Sequence, residues 1–285
     1  MLSFRGKVLP DTSLVMAIVN RTPDSFYDKG KTFGLDAALE RVDQVVEEGA
    51  HLVDIGGVKA APGEEVPAQE EADRVLPVVE AVRAKHPSLV ISVDTFRASV
   101  AEQVLAAGAD VVNDAWECPE PETYAVAAAF GAGVVCTHAG HLPPRTRPHR
   151  IAYPDVVADV ITTLTGMAER AVAAGVPRES VLIDPGHDFG KNTRQSLLLT
   201  DRTADLVATG WPVLMALSRK DFVGEVLDLP PDDRLEGTLA ATAVCAFQGA
   251  RVFRAHDVAA TLRVLRVVDA IRGRTEPVVN VRGLA

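Results

Sequence analysis

One pattern constrains this chain more than any other: a short apolar, β-branched run followed by a segment of helical periodicity, repeated eight times from end to end. The runs are LVMAIVN (14 to 20), HLVDIGG (51 to 57), VISVDT (90 to 95), DVVNDA (110 to 115), GVVCTHAG (133 to 140), VLIDPG (181 to 186), PVLMALSRK (212 to 220) and RVFRAHD (251 to 257). Between and after them, helices are expected over 35–48, 69–85, 98–107, 122–130, 155–174, 194–208, 236–248 and 257–272, with Gly49, Gly108 and Gly175 as stops. Strands alternating with helices pair in parallel through right-handed crossovers, and eight units close most naturally into an α/β fold of the (β/α)8 TIM-barrel type. An open doubly wound sheet is the runner-up. No Pro/Ser-rich linker interrupts the series, so one domain over 1–285 is expected, with long loops at 56–68 and 138–154.

Composition removes several classes of function. With 47% hydrophobic and 24% charged residues, the chain has the means to bury a large core. A net charge of −10 argues against nucleic acid or an anionic membrane as the main partner. Cys118, Cys136 and Cys245 are odd in number and lack CxxC spacing, which predicts reduced, packed thiols. The N-terminus has no signal-peptide core, and no apolar run reaches the ~18 residues of a membrane span. A soluble, cytoplasmic protein is expected.

Polar residues recur at one end of the apolar runs. Asn20, Asp54, Asp94, Asn113 with Asp114, His138, Asp184, Ser218 with Lys220, and Arg254 with His256 fall where eight strands would deliver them to the C-terminal rim of a barrel. Barrel active sites lie at that rim. For Asp54 and Asp114, capping a helix or pairing across the barrel is an equally good explanation. Asp94, Asn113 and Asp184 have the donors and acceptors to meet an amino-pyrimidine edge, with Lys220 as a cation for a carbonyl or ring nitrogen. Arg254 and His256 precede a helix N-terminus, an arrangement suited to phosphate, and Asn20 is placed to join them directly or through a metal ion.

These residues resemble the dihydropteroate synthase family. The matching segments are AIVNRTPDSF, DIGGVKAAPG, SVDTFR, VVND, DPGHDFGK, ALSRKDFVG and RVFRAHDV, in the family's order over nearly the whole chain. The resemblance implies a dihydropterin pyrophosphate held by Asp94, Asn113, Asp184 and Lys220. Pyrophosphate and Mg2+ would lie at Asn20, Thr22, Arg254 and His256, with Asn20 as the metal ligand. It further implies that Lys220, Arg254 and Asp94 are the catalytic side chains. Pyrophosphate would leave the pterin methylene, and p-aminobenzoate, an aryl amine, would attack the resulting cation in a step of folate biosynthesis. A homodimer is also implied, and the apolar stretches LAATAVCAFQ and ATLRVLRVVDAI are its expected contact.

The chain departs from the family in its second loop. Lys59, Ala60 and Ala61 stand before Pro62 and Gly63 where a Ser-Thr-Arg triplet is usual, so hydroxyls and a bidentate cation are lost. Asp221 follows Lys220 where a serine usually faces the carboxylate of p-aminobenzoate. Arg21, Tyr27, Lys29, Thr137, His187 and Asp188 also differ from the usual residues. Loss of one charged ligand contact costs ~2–5 kcal/mol, enough to suppress turnover. Three readings follow: an active pterin aryltransferase, a weak or inactive pterin-binding paralogue, and a barrel with another acceptor. A metal site from His138, His141, His149 and His187 has no support in their spacing.

Overall fold

A computed structural model describes residues 1–21, 34–59, 63–145 and 151–283. The chain begins with a small antiparallel hairpin, β1 (Ser3–Phe4) and β2 (Lys7–Val8). The repeating units follow: β3 (Leu14–Asn20) and α1 (Leu35–Glu47), β4 (Leu52–Gly56) and α2 (Ala68–Lys85), β5 (Val90–Asp94) and α3 (Ala98–Ala106), β6 (Val111–Asp114) and α4 (Glu122–Ala129). The second half comprises β7 (Gly133–Thr137) and α5 (Val156–Ala173), β8 (Val181–Asp184) with α6 (Thr193–Asp201) and α7 (Thr203–Val207), β9 (Leu214–Met215) with α8 (Asp221–Leu227) and α9 (Leu235–Gln248), and β10 (Val252–Ala255) with α10 (Val258–Ile271). All eight later strands pair in parallel in the order β8-β7-β6-β5-β4-β3-β10-β9. The two ends meet through a bridge between Ile183 and Val213, where the Ile183 N–H donates to the Pro212 carbonyl at 3.0 Å. The sheet therefore curls into the expected (β/α)8 barrel.

The strand period of two sorts side chains into two cores. One residue of each pair faces the helices: Val15, Ala17, Val53, Ile55, Ile91, Val93, Val112 and Val134 belong to the outer apolar shell. Their neighbours Leu14, Met16, Leu52, Val90, Val111, Val135, Leu182, Leu214 and Val252 fill the barrel axis together with Leu2, Phe4 and Leu9. The N-terminal hairpin thus closes the lower end of the barrel. Gly133 makes room for it, since a Cβ there would lie 2.4 Å from the Phe4 ring. Continuing the inner parity upward reaches Asn20, Asp54, Asp94, Asn113, Thr137, Asp184, Ser218 and Arg254. The apolar plug below and the polar rim above belong to the same inner face.

Gly49, Gly108 and Gly175 end helices with φ of 98°, 111° and 104°, as their positions predict. Three local features differ from the sequence reading. The helix expected over 194–208 divides at Arg202 into α6 and α7. The strand expected over 212–220 is regular only at Leu214–Met215, with Val213 bridging to Ile183 before it, and the chain turns at Arg219, whose φ is 57°. Beyond that turn lies α8, a short helix that Gly224 conceals in the sequence. The three cysteines are buried and free, and burial pushes each thiol up to about 12. No helix among the described residues is long and apolar enough to cross a membrane.

Candidate functional site

Pairing across the parallel strands puts Asn20, Gly56, Asp94 and Asn113 in one row along the rim. One layer lower, Asp54 is fully buried and accepts from Ser92 Oγ at 2.6 Å, Asn113 Nδ2 at 3.0 Å and Arg254 Nε at 2.6 Å. Arg254 Nη2 also reaches Asp94 Oδ2 at 3.5 Å. Asp54 therefore pairs across the barrel rather than capping a helix. It orients the Asn113 amide and holds the Arg254 guanidinium over the lumen. Burial and the neighbouring Asp54 raise Asp94 to about 8, against the pull of Arg254. Asp54 and Asp94 together hold Arg254 above its ordinary value despite its burial.

Asp114 follows Asn113 with opposite parity, so it leaves the lumen. Its Oδ1 accepts the Trp116 N–H at 2.7 Å, and burial raises it to about 7. Across the mouth, Asp184 accepts the Gly186 N–H at 2.8 Å, and burial outweighs nearby Lys220 and raises its pKa. Lys220 donates to the His187 carbonyl and lies 4.9 Å from the centroid of the Phe189 ring. Burial lowers its pKa against the influence of Asp184 and Asp188. The mouth thus carries both acids and cations beside an aromatic face, formed by Phe189 edge-on to Trp116 at 5.2 Å with Phe96 nearby.

His256 bonds through Nδ1 to Ser218 Oγ at 2.9 Å, while Ser218 Oγ accepts the His256 N–H at 3.2 Å. Burial and the Arg254 charge lower His256 to about 3, so it enters as a neutral imidazole and leaves Arg254 as the cation at this end. Asn20 closes β3 at the rim. Thr22, Tyr27, Lys29, Ala60, Ala61 and His149 lie outside the described residues. Lys59 is described, and its carbonyl accepts from Arg145 Nη1 at 2.9 Å. Asp221 is exposed and paired with Arg234 at 2.9 Å, which offsets its charge.

Four residues that sequence reasoning passed over also shape the mouth. Lys191 is buried and donates to the carbonyls of His138, Gly186 and Phe189 at 2.9 to 3.1 Å, with His138 Nδ1 at 2.8 Å. Burial and the nearby Lys220 lower it to about 7. Phe189 precedes it by two positions, and both lie in the quoted DPGHDFGK segment. Glu117 clamps the loop after β7, as described below. Arg145, in the second long loop, reaches across to the first, and a Cβ at position 63 would come within 2.3 Å of its Nη2. The basic stretch PPRTRPHR was its only sequence signal. His187 bonds Thr200 at 3.0 Å, and Asp188, at φ 68°, accepts from Ser196 Oγ and from the Phe222 N–H at the start of α8.

Comparison with known proteins agrees with this geometry. The pterin binding enzyme family matches residues 16–256. The chain is 57% identical over 282 residues to an inactive dihydropteroate synthase 2 of Mycobacterium tuberculosis, covering 98% of this chain and 89% of that protein. It is 40% identical over 272 residues to the dihydropteroate synthase of Bacillus subtilis, covering 95% and 90% respectively. A crystal structure of the Yersinia pestis dihydropteroate synthase with a sulfonamide drug superposes with a TM-score of 0.90 at 38% identity, covering 96% of this chain and 99% of that one.

Proposed function

The chain belongs to the pterin binding enzyme family, and on that premise we propose that it binds a dihydropterin pyrophosphate while condensing it with p-aminobenzoate weakly or not at all. The carrying observation is the contrast at the mouth. Asp94, Asn113, Asp184, Lys220 and Arg254 converge on the lumen, whereas the second loop reads Lys59, Ala60, Ala61. The high identity to a relative called inactive supports the same reading. A loop without hydroxyls or an arginine fork offers little to the leaving group and to the acceptor, and stabilising the leaving group is the main demand of this chemistry.

In this reading, Asp184 and Asn113 grip the amino-pyrimidine edge, Lys220 faces the ring carbonyl side, and Phe189 offers a surface for stacking. Asp94, held protonated near neutrality, donates to a ring acceptor, and Arg254 guides the pyrophosphate. Asn20 and His256 complete the anion end, with Thr22 assigned there from the sequence. A Mg2+ ion fits this donor set as a phosphate-borne cation: Asn20 offers one amide oxygen, and pyrophosphate and water supply the rest. Such an ion would neutralise charge on the leaving pyrophosphate. By the same reading residues 1–285 form one domain of a cytoplasmic protein, paired into a homodimer through α9 and α10.

Calorimetry with dihydropterin pyrophosphate, alongside an assay of pyrophosphate release with p-aminobenzoate, tests the reading. Saturable binding with little release is expected, and the double substitution Ala60→Thr/Ala61→Arg should raise release. Rescue of a synthase-deficient strain by the parent chain would refute the weak-activity part. Absence of pterin binding would refute the whole.

A further inference from the structure

Directly after β7 the chain reads His-Ala-Gly-His, and the first of these histidines has the parity opposite to Thr137. His138 is fully buried and turns away from the lumen toward α5, where its Nε2 meets Asp159 Oδ1 at 2.8 Å. His141 returns to the same place: its Nδ1 lies 3.1 Å from Glu117 Oε2 and its Nε2 lies 3.5 Å from Asp159 Oδ1. Glu117 Oε1 is 3.7 Å from His138 Nε2. Donor atoms of Glu117, His138 and His141 all fall within 4.8 Å of one another, the one such group of three or more His, Cys, Asp or Glu among the described residues.

We propose that Glu117, His138 and His141, with Asp159 at the edge, form a binding site for a divalent transition-metal ion of the Zn2+ class, on the outer side of the rim and separate from the pyrophosphate end. Two imidazoles and a carboxylate suit zinc and its neighbours rather than Mg2+, which prefers an all-oxygen shell. The ligands are already fixed. Glu117 accepts the backbone N–H groups of Ala139, Gly140 and His141 at 2.9, 3.0 and 2.8 Å, which wraps the His-Ala-Gly-His turn around its carboxylate. Those three bonds leave it capacity for one more partner.

Lys191 meets Nδ1 of His138 at 2.8 Å and so orients the ring, with Nε2 directed at the acids. A ring that binds metal through Nε2 carries its proton on Nδ1, so as the Nε2 proton leaves for solvent Lys191 passes one of its protons to Nδ1 and accepts that N–H as a neutral amine; one proton in all leaves the cluster. A network serving structure alone would gain little from His141, whose side chain is 57% exposed, because exposed ion pairs contribute ~0–1 kcal/mol. For an ion, that same exposure is the path of entry. The site does not depend on the pterin reading.

Titration of the full chain with Co2+ and Zn2+ in excess Mg2+ tests it, since Mg2+ occupies oxygen sites and leaves imidazole sites open. One Co2+ per chain with visible absorption bands is expected, and Zn2+ should raise the denaturation midpoint by preferential binding to the folded state. His141→Ala, at an exposed position, should keep the metal-free midpoint and lose both responses. Glu117→Gln should weaken Zn2+ binding by roughly tenfold or more. No saturable Co2+ binding by the parent, or equal binding by His141→Ala, would overturn the proposal.

Discussion

Asp94 experiences two opposed influences at one carboxyl. Arg254 at 3.5 Å favours its charged form, but burial and the nearby Asp54 disfavour it more strongly, and the outcome is a group raised to about 8. Below the ordinary carboxyl value of 3.8, folded and unfolded chains both carry the proton. As pH rises from there, the unfolded chain releases it while the folded chain keeps it. The stabilising proton uptake is therefore lost progressively with rising pH and is gone above about 8. Asp94→Asn cannot ionise, so its denaturation midpoint, measured without ligand, should gain on the parent as pH increases through this window and level off above it. A difference independent of pH would show that Asp94 is not the titrating group. The variant should also weaken pterin binding, because the amide replaces an acid donor held in place by its neighbours. At this scale the sequence revealed much: a polar residue closing each apolar run is visible without coordinates. Parity was harder to assign, because Asn113 and Asp114 are adjacent and both polar, and only the register of β6 separates the inner residue from the outer one. His138 was placed on the rim for the same reason, although it faces α5.

Among the elements, the loops carry what distinguishes this chain. Arg145, from the loop after β7, donates to the Lys59 carbonyl and lies against Gly63, flanking the stretch that lacks the family arginine. Its Nε is buried without a hydrogen-bond partner among the described residues. A guanidinium in that position can return to the second loop part of the cationic character lost from its own sequence, but from a different backbone. Arg145→Ala should therefore weaken binding of dihydropterin pyrophosphate by about tenfold or more, the range for losing one partner of a charged contact. Binding of a hydroxymethyl-pterin without phosphates should change little. Arg145→Lys should recover only part of the loss, since lysine lacks the planar fork. Equal losses for both pterins would assign Arg145 to loop packing alone. Such a contact joins residues 86 positions apart, which no local pattern reports. Local signals also failed at α6 and α7, where continuous helical periodicity hid the break at Arg202, and at α8, where seven residues containing Gly224 are too few for periodicity to register. Long amphipathic helices such as α1 and α5 were legible because their apolar positions recur over several turns.

At the scale of the whole molecule, the barrel separates stability from ligand chemistry along one axis. Leu2, Phe4 and Leu9 close the lower end, the polar rim occupies the upper end, and helices cover the sides. The helical side is not uniformly covered. Val244 and Phe247 on α9 are 45% and 57% exposed, and Val267 and Ile271 on the adjoining α10 are 60% and 68% exposed. The two helices pack on each other with Arg272 bridging to the Phe247 carbonyl, so their outer faces form a continuous surface. Clustered apolar side chains of this size are disfavoured in water, and burial against the same face of a second copy, as proposed above, would relieve them through a symmetric contact. The parent chain should therefore sediment as a dimer at micromolar concentration. Phe247→Asp combined with Ile271→Asp places charge on both helices where each meets its symmetry mate, and should yield a folded monomer. Because this face lies on the barrel wall and the rim residues all come from one chain, the monomer should keep its pterin affinity. Sedimentation of the parent as a monomer would remove the dimer from the proposal, and loss of pterin binding on monomerisation would show that the rim depends on the partner copy.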